Sequence, residues 1–329
     1  MILAIETSCD DTCAAVLAPD GLTALSNVVH TQTEHLRYGG VVPEVASRAH
    51  LERMDGVVAA ALAEAGVGFG DIERVAVTVR PGLIGALLVG VSAAKGIAYA
   101  RRLPLVPVNH LEGHVAAAYL ARPDLEPPFV ALIASGGHTA LYHVARDRSM
   151  ELLGETLDDA AGEALDKGAR MLGLGFPGGP AISKAARTGD VAKYSFPVGL
   201  KDKKNLDFSF SGLKTSLLYK LKKMEPGEAR GEVPDLAAGY EAAVVEALVR
   251  KLLRAAEARR APSVVVAGGV AANALLRRTL EEKCHRRGLD LIVPPPELCT
   301  DNAAMIGAAA VRSRVLDFPD YLSVTARSV

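Results

Sequence analysis

The chain has 329 residues, half of them hydrophobic and 23% charged, with 37 basic side chains against 38 acidic ones. That balance excludes a disordered or collagen-like chain, and a length beyond the roughly 250–300 residues at which single cores stop growing favours two lobes. Cys9, Cys13, Cys284 and Cys299 form no CxxC pair, so neither a zinc knuckle nor a disulfide framework is expected.

Residues 1–6 read as an apolar strand, followed by the polar turn TSCDDT and a second strand over residues 13–18. The start has no basic flank and reaches a carboxylate at Glu6, so it is not read as a signal peptide, and a cytoplasmic protein is expected. Residues 74–79 form a strand that runs through Pro81-Gly82 into a glycine-spaced helix. The longest uncharged apolar stretch, residues 81–94, falls short of the roughly 18–20 residues a membrane span needs, so no transmembrane helix is expected. Residues 105–108 are a strand leading into the helical HLEGHVAAAYL.

The same three elements recur later. Residues 129–134, the turn SGGHT and residues 140–145 form a second hairpin; residues 263–267 run into Gly268-Gly269 and a helix; residues 291–293 lead through three prolines and CTDN into AAMIGAAAVRS. Recurrence in the same order argues for a duplicated α/β unit, with two similar lobes facing each other across a cleft. The expected lobes are residues 1–108 plus 309–329, and residues 109–308 with a more polar helical insertion at about 156–260. Within that insertion, residues 201–223 hold seven lysines against two aspartates. Such a run is usually a solvated face, but with Arg250, Lys251, Arg254, Arg259, Arg260, Arg277, Arg278, Arg286 and Arg287 on the same half it also admits a basic surface for a polyanion. Aromatics are 5% of the chain and tryptophan is absent, so base stacking is not the expected mode of binding.

Several short motifs carry chemistry. ETSCDDT packs Glu6, Asp10 and Asp11 into one turn, where like charges are costly without a shared cation or donor. HLEGH places His110 and His114 at i, i+4 on one helical face. The pair suits a metal or two half-buried side chains equally, and Asp301 in CTDN, at the matching place of the other half, tips the balance toward an ion with open coordination positions. This is not the HExxH arrangement of metalloproteases, because Leu111 stands where the general base belongs. The ASGGHT turn could cradle a phosphate or an acyl oxygen through its amides, or be a plain hairpin turn. GGVAAN opens a helix, whose N-terminus favours an anion, but it matches neither a GxGxxG fingerprint nor a Walker A loop.

Taken together, ETSCDDT, GGVVPEVASRAH, HLEGH, ASGGHT, LDKGAR, FPGGP, SFSGLKT, GGVAAN and CTDNAAMI, in that order over residues 6–306, closely resemble the TsaD family, formerly called Gcp or O-sialoglycoprotein endopeptidase, in its bacterial branch. The resemblance implies a duplicated actin-like (ASKHA, RNase H-like) α/β fold and a tRNA N6-adenosine threonylcarbamoyltransferase. Such an enzyme transfers the threonylcarbamoyl group from threonylcarbamoyl-AMP to the adenosine 3′ of the anticodon in tRNAs reading A-starting codons. It further implies one divalent ion, Fe2+ or Zn2+, on His110, His114 and Asp301. The adenylate, or ATP or ADP in the same site, would be held by Ile133, Ala134, Ser135, Gly136, Gly137, Asp166, Gly179, Ser183 and Asn273. Asp10 and Asp11 are the candidate proton acceptors. Expected partners are tRNA, a smaller paralogous TsaB-like subunit, a TsaE-like ATPase and an upstream threonylcarbamoyl-AMP synthase, with no membrane. Two positions depart from the family pattern: Asp11 stands where most bacterial members carry Glu, and Ser183 where some carry Asp. The rival readings are a sugar kinase or other ATPase of the same fold, which needs no HxxxH; a metallopeptidase, disfavoured by Leu111; and a non-catalytic scaffold, disfavoured by the completeness of the motif set.

Overall fold

The structure, a computed structural model, describes residues 1–202, 205–225 and 227–329. In chain order the elements are β1 (Ile2–Glu6), β2 (Asp11–Leu17), β3 (Ala24–Thr31), α1 (Pro43–Ala65), β4 (Arg74–Arg80), α2 (Ile84–Arg101), β5 (Leu105–Asn109), α3 (His110–Ala121), β6 (Phe129–Ala134), β7 (Thr139–Val144), β8 (Met150–Glu155), α4 (Ala161–Met171), α5 (Gly178–Ala186), α6 (Ser211–Lys222), α7 (Glu228–Arg259), β9 (Ser263–Ala267), α8 (Ala274–His285), β10 (Asp290–Ile292), α9 (Pro296–Cys299) and α10 (Ala303–Ala310). Two compact units result: Met1–Leu125 with Thr300–Val329, and Glu126–Cys299.

Each unit is built on one five-stranded sheet, ordered β3-β2-β1-β4-β5 in the first and β8-β7-β6-β9-β10 in the second. In both, the first three strands in sequence pair antiparallel and the last two join parallel to the central strand. The duplication expected from the motif order is therefore present strand for strand. The central strands β1, β6 and β9 are buried along their whole length, as the uninterrupted Val, Ile, Leu and Ala runs of strands covered on both faces require. The third strand of each sheet, β3 and β8, is absent from the sequence reading. Each lies at a sheet edge with a largely exposed side-chain pattern, so neither carries the apolar run that marks its neighbours.

The boundaries also differ from the expected ones. Helices α3 and α10, placed in the second lobe on sequence, belong to the first unit. Both are apolar nearly all round, as helices packed on each other and on a sheet must be. Helix α2 continues past the apolar stretch through Lys95 to Arg101 and, by length and composition alone, is long and apolar enough to cross a membrane. In this unit its Ala86, Leu87, Val91, Ala94 and Ala98 are buried, and the Lys95 ammonium donates to the carbonyls of Leu322 and Val324.

The stretch expected as an insertion holds α4 to α7, packed with β6 and β9 in one core around Tyr240, Phe208 and Phe210. Several of the candidate basic residues are already engaged. Lys214 pairs with Asp159 at 3.0 Å, Arg259 pairs with Glu151, Arg286 pairs with Glu282, and Lys251 is 1% exposed with its ammonium on the Asn205 carbonyl. Lys201, Lys222, Lys223, Arg260 and Arg278 are exposed, and Lys203 and Lys204 lie outside the described residues.

Candidate functional site

In the first unit, β1, β4 and β5 run parallel, and the residues at their carboxyl ends gather, as loops diverge there and leave a crevice. Glu6 closes β1. One step past the Ile5–Val77 pair, the Thr78 hydroxyl donates to Glu6 Oε2 at 2.6 Å. Strand β5 ends at Asn109, whose side-chain oxygen accepts the Leu111 amide at 2.8 Å, a cap that stabilises a helix start by about 1 kcal/mol. The cap sets His110 as the first residue of α3, and the helical repeat stacks His114 behind it with ring centroids 4.6 Å apart.

The third group arrives from α10. Asn302, fully buried, caps that helix by accepting the Met305 amide at 2.9 Å, which leaves Asp301 immediately before the first turn. The two helices approach closely at Gly113, where a Cβ would lie 2.7 Å from Ile306 Cδ1. A side chain there would require the end of the Ile306 side chain to move aside.

Asp301 Oδ1 consequently lies 3.5 Å from His110 Nε2 and 3.4 Å from His114 Nε2, and one ligand atom from each of the three residues falls within 4.8 Å of the others. Both ring nitrogens of His114 are buried without a hydrogen-bond partner, since the approach of Asp301 lacks hydrogen-bond geometry. Leaving such groups unmet costs about 1–3 kcal/mol each. Two imidazoles and a carboxylate with that unmet capacity fit a divalent ion of the borderline class, and burial, which lowers the His114 pKa, keeps that imidazole in the neutral form a ligand needs. His110 behaves oppositely: against the effect of burial, the Asp301 and Glu6 carboxylates push its pKa up to about 9, so in the protein without metal a proton supplies the missing positive charge. The three ligands converge as expected, with one correction: all belong to one unit, because α3 and α10 pack together, and not to two mirrored halves.

The candidate proton acceptors lie in the same unit. Asp10 stands in the β1–β2 turn and Asp11 opens β2. Burial, followed by the nearby Asp301 and Asp10 charges and opposed by a Thr31 hydrogen bond, pushes the Asp11 carboxyl up to about 7. Its Oδ1 is buried without a partner.

The other candidates lie in the second unit and fall into three groups. Ile133 and Ala134 end β6, and Ser135 to Gly137 turn the chain into β7, with Gly136 and Gly137 exposed. Gly268 follows the adjacent β9 at φ +89°, where a Cβ would lie 2.4 Å from the Ala134 carbonyl oxygen, so both the backbone conformation and the close approach require glycine. Asp166 on α4 accepts the Gly178 amide at 2.7 Å and so caps α5, next to Gly179. Ser183 and Asn273 meet: the Asn273 amide donates to Ser183 Oγ at 3.0 Å and to Glu241 Oε1 at 2.6 Å, and the Ser183 hydroxyl also donates to Glu241. Meanwhile Asn273 Oδ1 caps α8 through the Leu276 amide at 2.9 Å, so the amide orientation is fixed at both ends.

Sequence reasoning gave no role to Glu6 behind His110, or to Glu241, 6% exposed on α7 behind Asn273. For Glu6 the crowding of carboxylates in ETSCDDT was a signal. For Glu241, in the midst of an amphipathic helix, there was none.

A two-sheet duplicated α/β chain of this kind has the architecture of the actin-like ASKHA proteins. Among solved structures, HypF from T. kodakarensis matches with TM-score 0.62 at 15% identity over 94% of this chain and 47% of that one. Component A of (R)-2-hydroxyglutaryl-CoA dehydratase from Acidaminococcus fermentans matches with TM-score 0.56 at 17% identity over 95% and 96%. These show the fold alone. The sequence profile described as TsaD, tRNA N6-adenosine threonylcarbamoyltransferase, matches residues 23–308, and a protein of that name from Syntrophus aciditrophicus is 52% identical over 93% of this chain and 90% of its own length. The chain belongs to the TsaD family of tRNA-modifying transferases.

Proposed function

We propose that this enzyme moves the threonylcarbamoyl group of threonylcarbamoyl-AMP onto N6 of the adenosine 3′ of the anticodon in tRNAs reading A-starting codons. Family membership over most of the chain supports the reaction, and the buried His110, His114 and Asp301 cluster supports its dependence on a divalent ion, Fe2+ or Zn2+. When bound, that ion supplies positive charge to stabilise the departing phosphate. The remaining roles belong to side chains and backbone. The turn at Ile133, Ala134, Ser135, Gly136 and Gly137, with Asp166 and Gly179, is assigned to the adenylate, whose phosphate suits exposed amides. Ser183 and Asn273, oriented by Glu241, are assigned to its ribose, to which a hydroxyl and an amide offer both donors and acceptors. In the transfer, the N6 amine attacks the carbamoyl carbon, AMP leaves, and the amine proton passes to a carboxylate, for which Asp10 and Asp11 are the candidates. The reaction takes place in the cytoplasm, with TsaB-like and TsaE-like subunits and a synthase for the adenylate.

The test is reconstitution: the chain, the adenylate synthase, the two partner subunits, threonine, bicarbonate, ATP and an unmodified tRNA, followed by mass spectrometry of the digested nucleosides. Threonylcarbamoyladenosine is expected only when the chain is present. ATP consumption without it would favour the kinase or scaffold reading.

For tRNA docking, the exposed Lys201, Lys222 and Lys223 are the side chains assigned to phosphates, with Arg260 and Arg278 as further candidates. Neutralising one phosphate-binding cation is expected to reduce the slope of log affinity against log salt by roughly 0.7–0.9. Lys222→Gln with Lys223→Gln should therefore lower that slope by about 1.5 in a filter-binding titration. An unchanged slope removes this face from the interface.

A further inference from the structure

We infer that Glu6 is a positioning residue for the metal centre: its carboxylate takes the Nδ1–H of His110 and so holds the imidazole as the tautomer whose Nε2 is open to coordinate. The inference rests on the metal reading of His110, His114 and Asp301 above. Glu6 Oε2 lies 3.0 Å from His110 Nδ1, and the two side chains are 0% and 5% exposed. Nε2 of the same ring is the atom that faces Asp301.

Glu6 is an acceptor in every contact it makes here. Its Oε2 also accepts the Thr78 hydroxyl at 2.6 Å, and its Oε1 accepts the Ser8 amide. The Ser8 amide is a fixed backbone donor, so the oxygen that faces it cannot be exchanged for a donor. The carboxylate is also the stronger of two acceptors near Nδ1, since Ser8 Oγ, 3.1 Å from the same nitrogen, is a neutral hydroxyl. The arrangement is one-sided: His114 Nδ1 has no hydrogen-bond partner. Of the two histidines, only His110 is backed at Nδ1 by a carboxylate, a contact that fixes ring orientation and raises ligand basicity.

Glu6→Gln separates this role from simple packing, because it keeps the size of the side chain. The Ser8 amide holds the glutamine carbonyl at the Oε1 position, which turns the –NH2 toward His110 Nδ1. That nitrogen must then accept, so the proton moves to Nε2 and blocks the ligand position. Zinc affinity measured by competition with a chromophoric chelator is expected to fall roughly 10–100-fold. Long-range 1H–15N spectra of histidine-labelled protein should show Nδ1–H for His110 in the zinc-loaded wild type and Nε2–H in the zinc-free variant. Thr78→Val, which removes a donor from the same carboxylate but leaves the His110 contact, should keep the affinity within a factor of a few.

A folded Glu6→Gln protein that binds zinc as tightly as wild type overturns the inference. So does a zinc-loaded wild type whose His110 Nδ1 carries no proton, a result that stands even where the variant fails to fold. Wild type that takes up no zinc, iron or cobalt is a different failure, that of the metal reading itself.

Discussion

Replacing either histidine of the cluster by alanine, His110→Ala or His114→Ala, is expected to leave a folded enzyme that has lost its ion and at least about 100-fold of its transfer rate. Truncating either residue leaves one nitrogen and one oxygen of the three donor atoms gathered within 4.8 Å, too few to hold a borderline divalent ion against water. The surrounding structure should survive, because the close approach of α3 and α10 at Gly113 involves neither imidazole and the helix start rests on Asn109. Metal content by atomic emission, a thermal melt and the nucleoside assay together check the prediction. Full transfer activity in a variant free of metal would show that the ion is not used in the reaction. Loss of activity with metal retained would point to a direct contact with the substrate instead.

A second substitution should move stability and activity in opposite directions. Asp11 is held at a pKa of about 7 against an ordinary 3.8, with one oxygen buried and unmet. A raised carboxyl pKa means that the folded state resists ionisation. The cost is absent below the unfolded pKa, grows as pH rises from about 4, and is complete above about 7. Asp11→Asn removes the charge and keeps the shape. In the metal-free protein the variant should match wild type near pH 4 and exceed it at pH 8 by on the order of 1–3 kcal/mol, read as a melting-temperature gap that opens across that window. An asparagine cannot accept a proton, so if Asp11 is the base the single-turnover rate should drop by roughly 100- to 10,000-fold at saturating substrate. An unchanged rate assigns the proton to Asp10 or to solvent. A gap that fails to open with pH shows that the carboxylate is not strained by burial. Gain of stability with loss of rate is the signature of a residue kept for chemistry at a cost to the fold.

These expectations differ in how much of their basis could be read along the chain. The hairpins, the strand-to-helix glycine turns and the starts of α3 and α10 are short-range patterns, set by residues within a few positions of one another, and they stand where the sequence places them. The His110 and His114 pair was legible for the same reason, a helical repeat, and Asp301 through the matching place of its motif. The duplicated sheet was legible because its buried strands must be apolar without interruption. The edge strands β3 and β8 were not, since a half-exposed strand is stabilised by its neighbour's hydrogen bonds and needs no pattern of its own.

What the amino-acid order determined by itself was therefore local geometry, the repeated unit and, through the joint motif set, the family. Tertiary structure decided which unit owns α3 and α10, because that depends on where their apolar surfaces find partners, residues 110–121 meeting residues 303–310 across more than half of the chain. It also decided which charges meet. Glu6 stands 104 residues from His110, and Glu241 stands 32 from Asn273 and 58 from Ser183. Hydrogen bonds and buried charges act over about 3 Å of space at any sequence separation, so these roles emerge only once the strands have been paired and the helices docked.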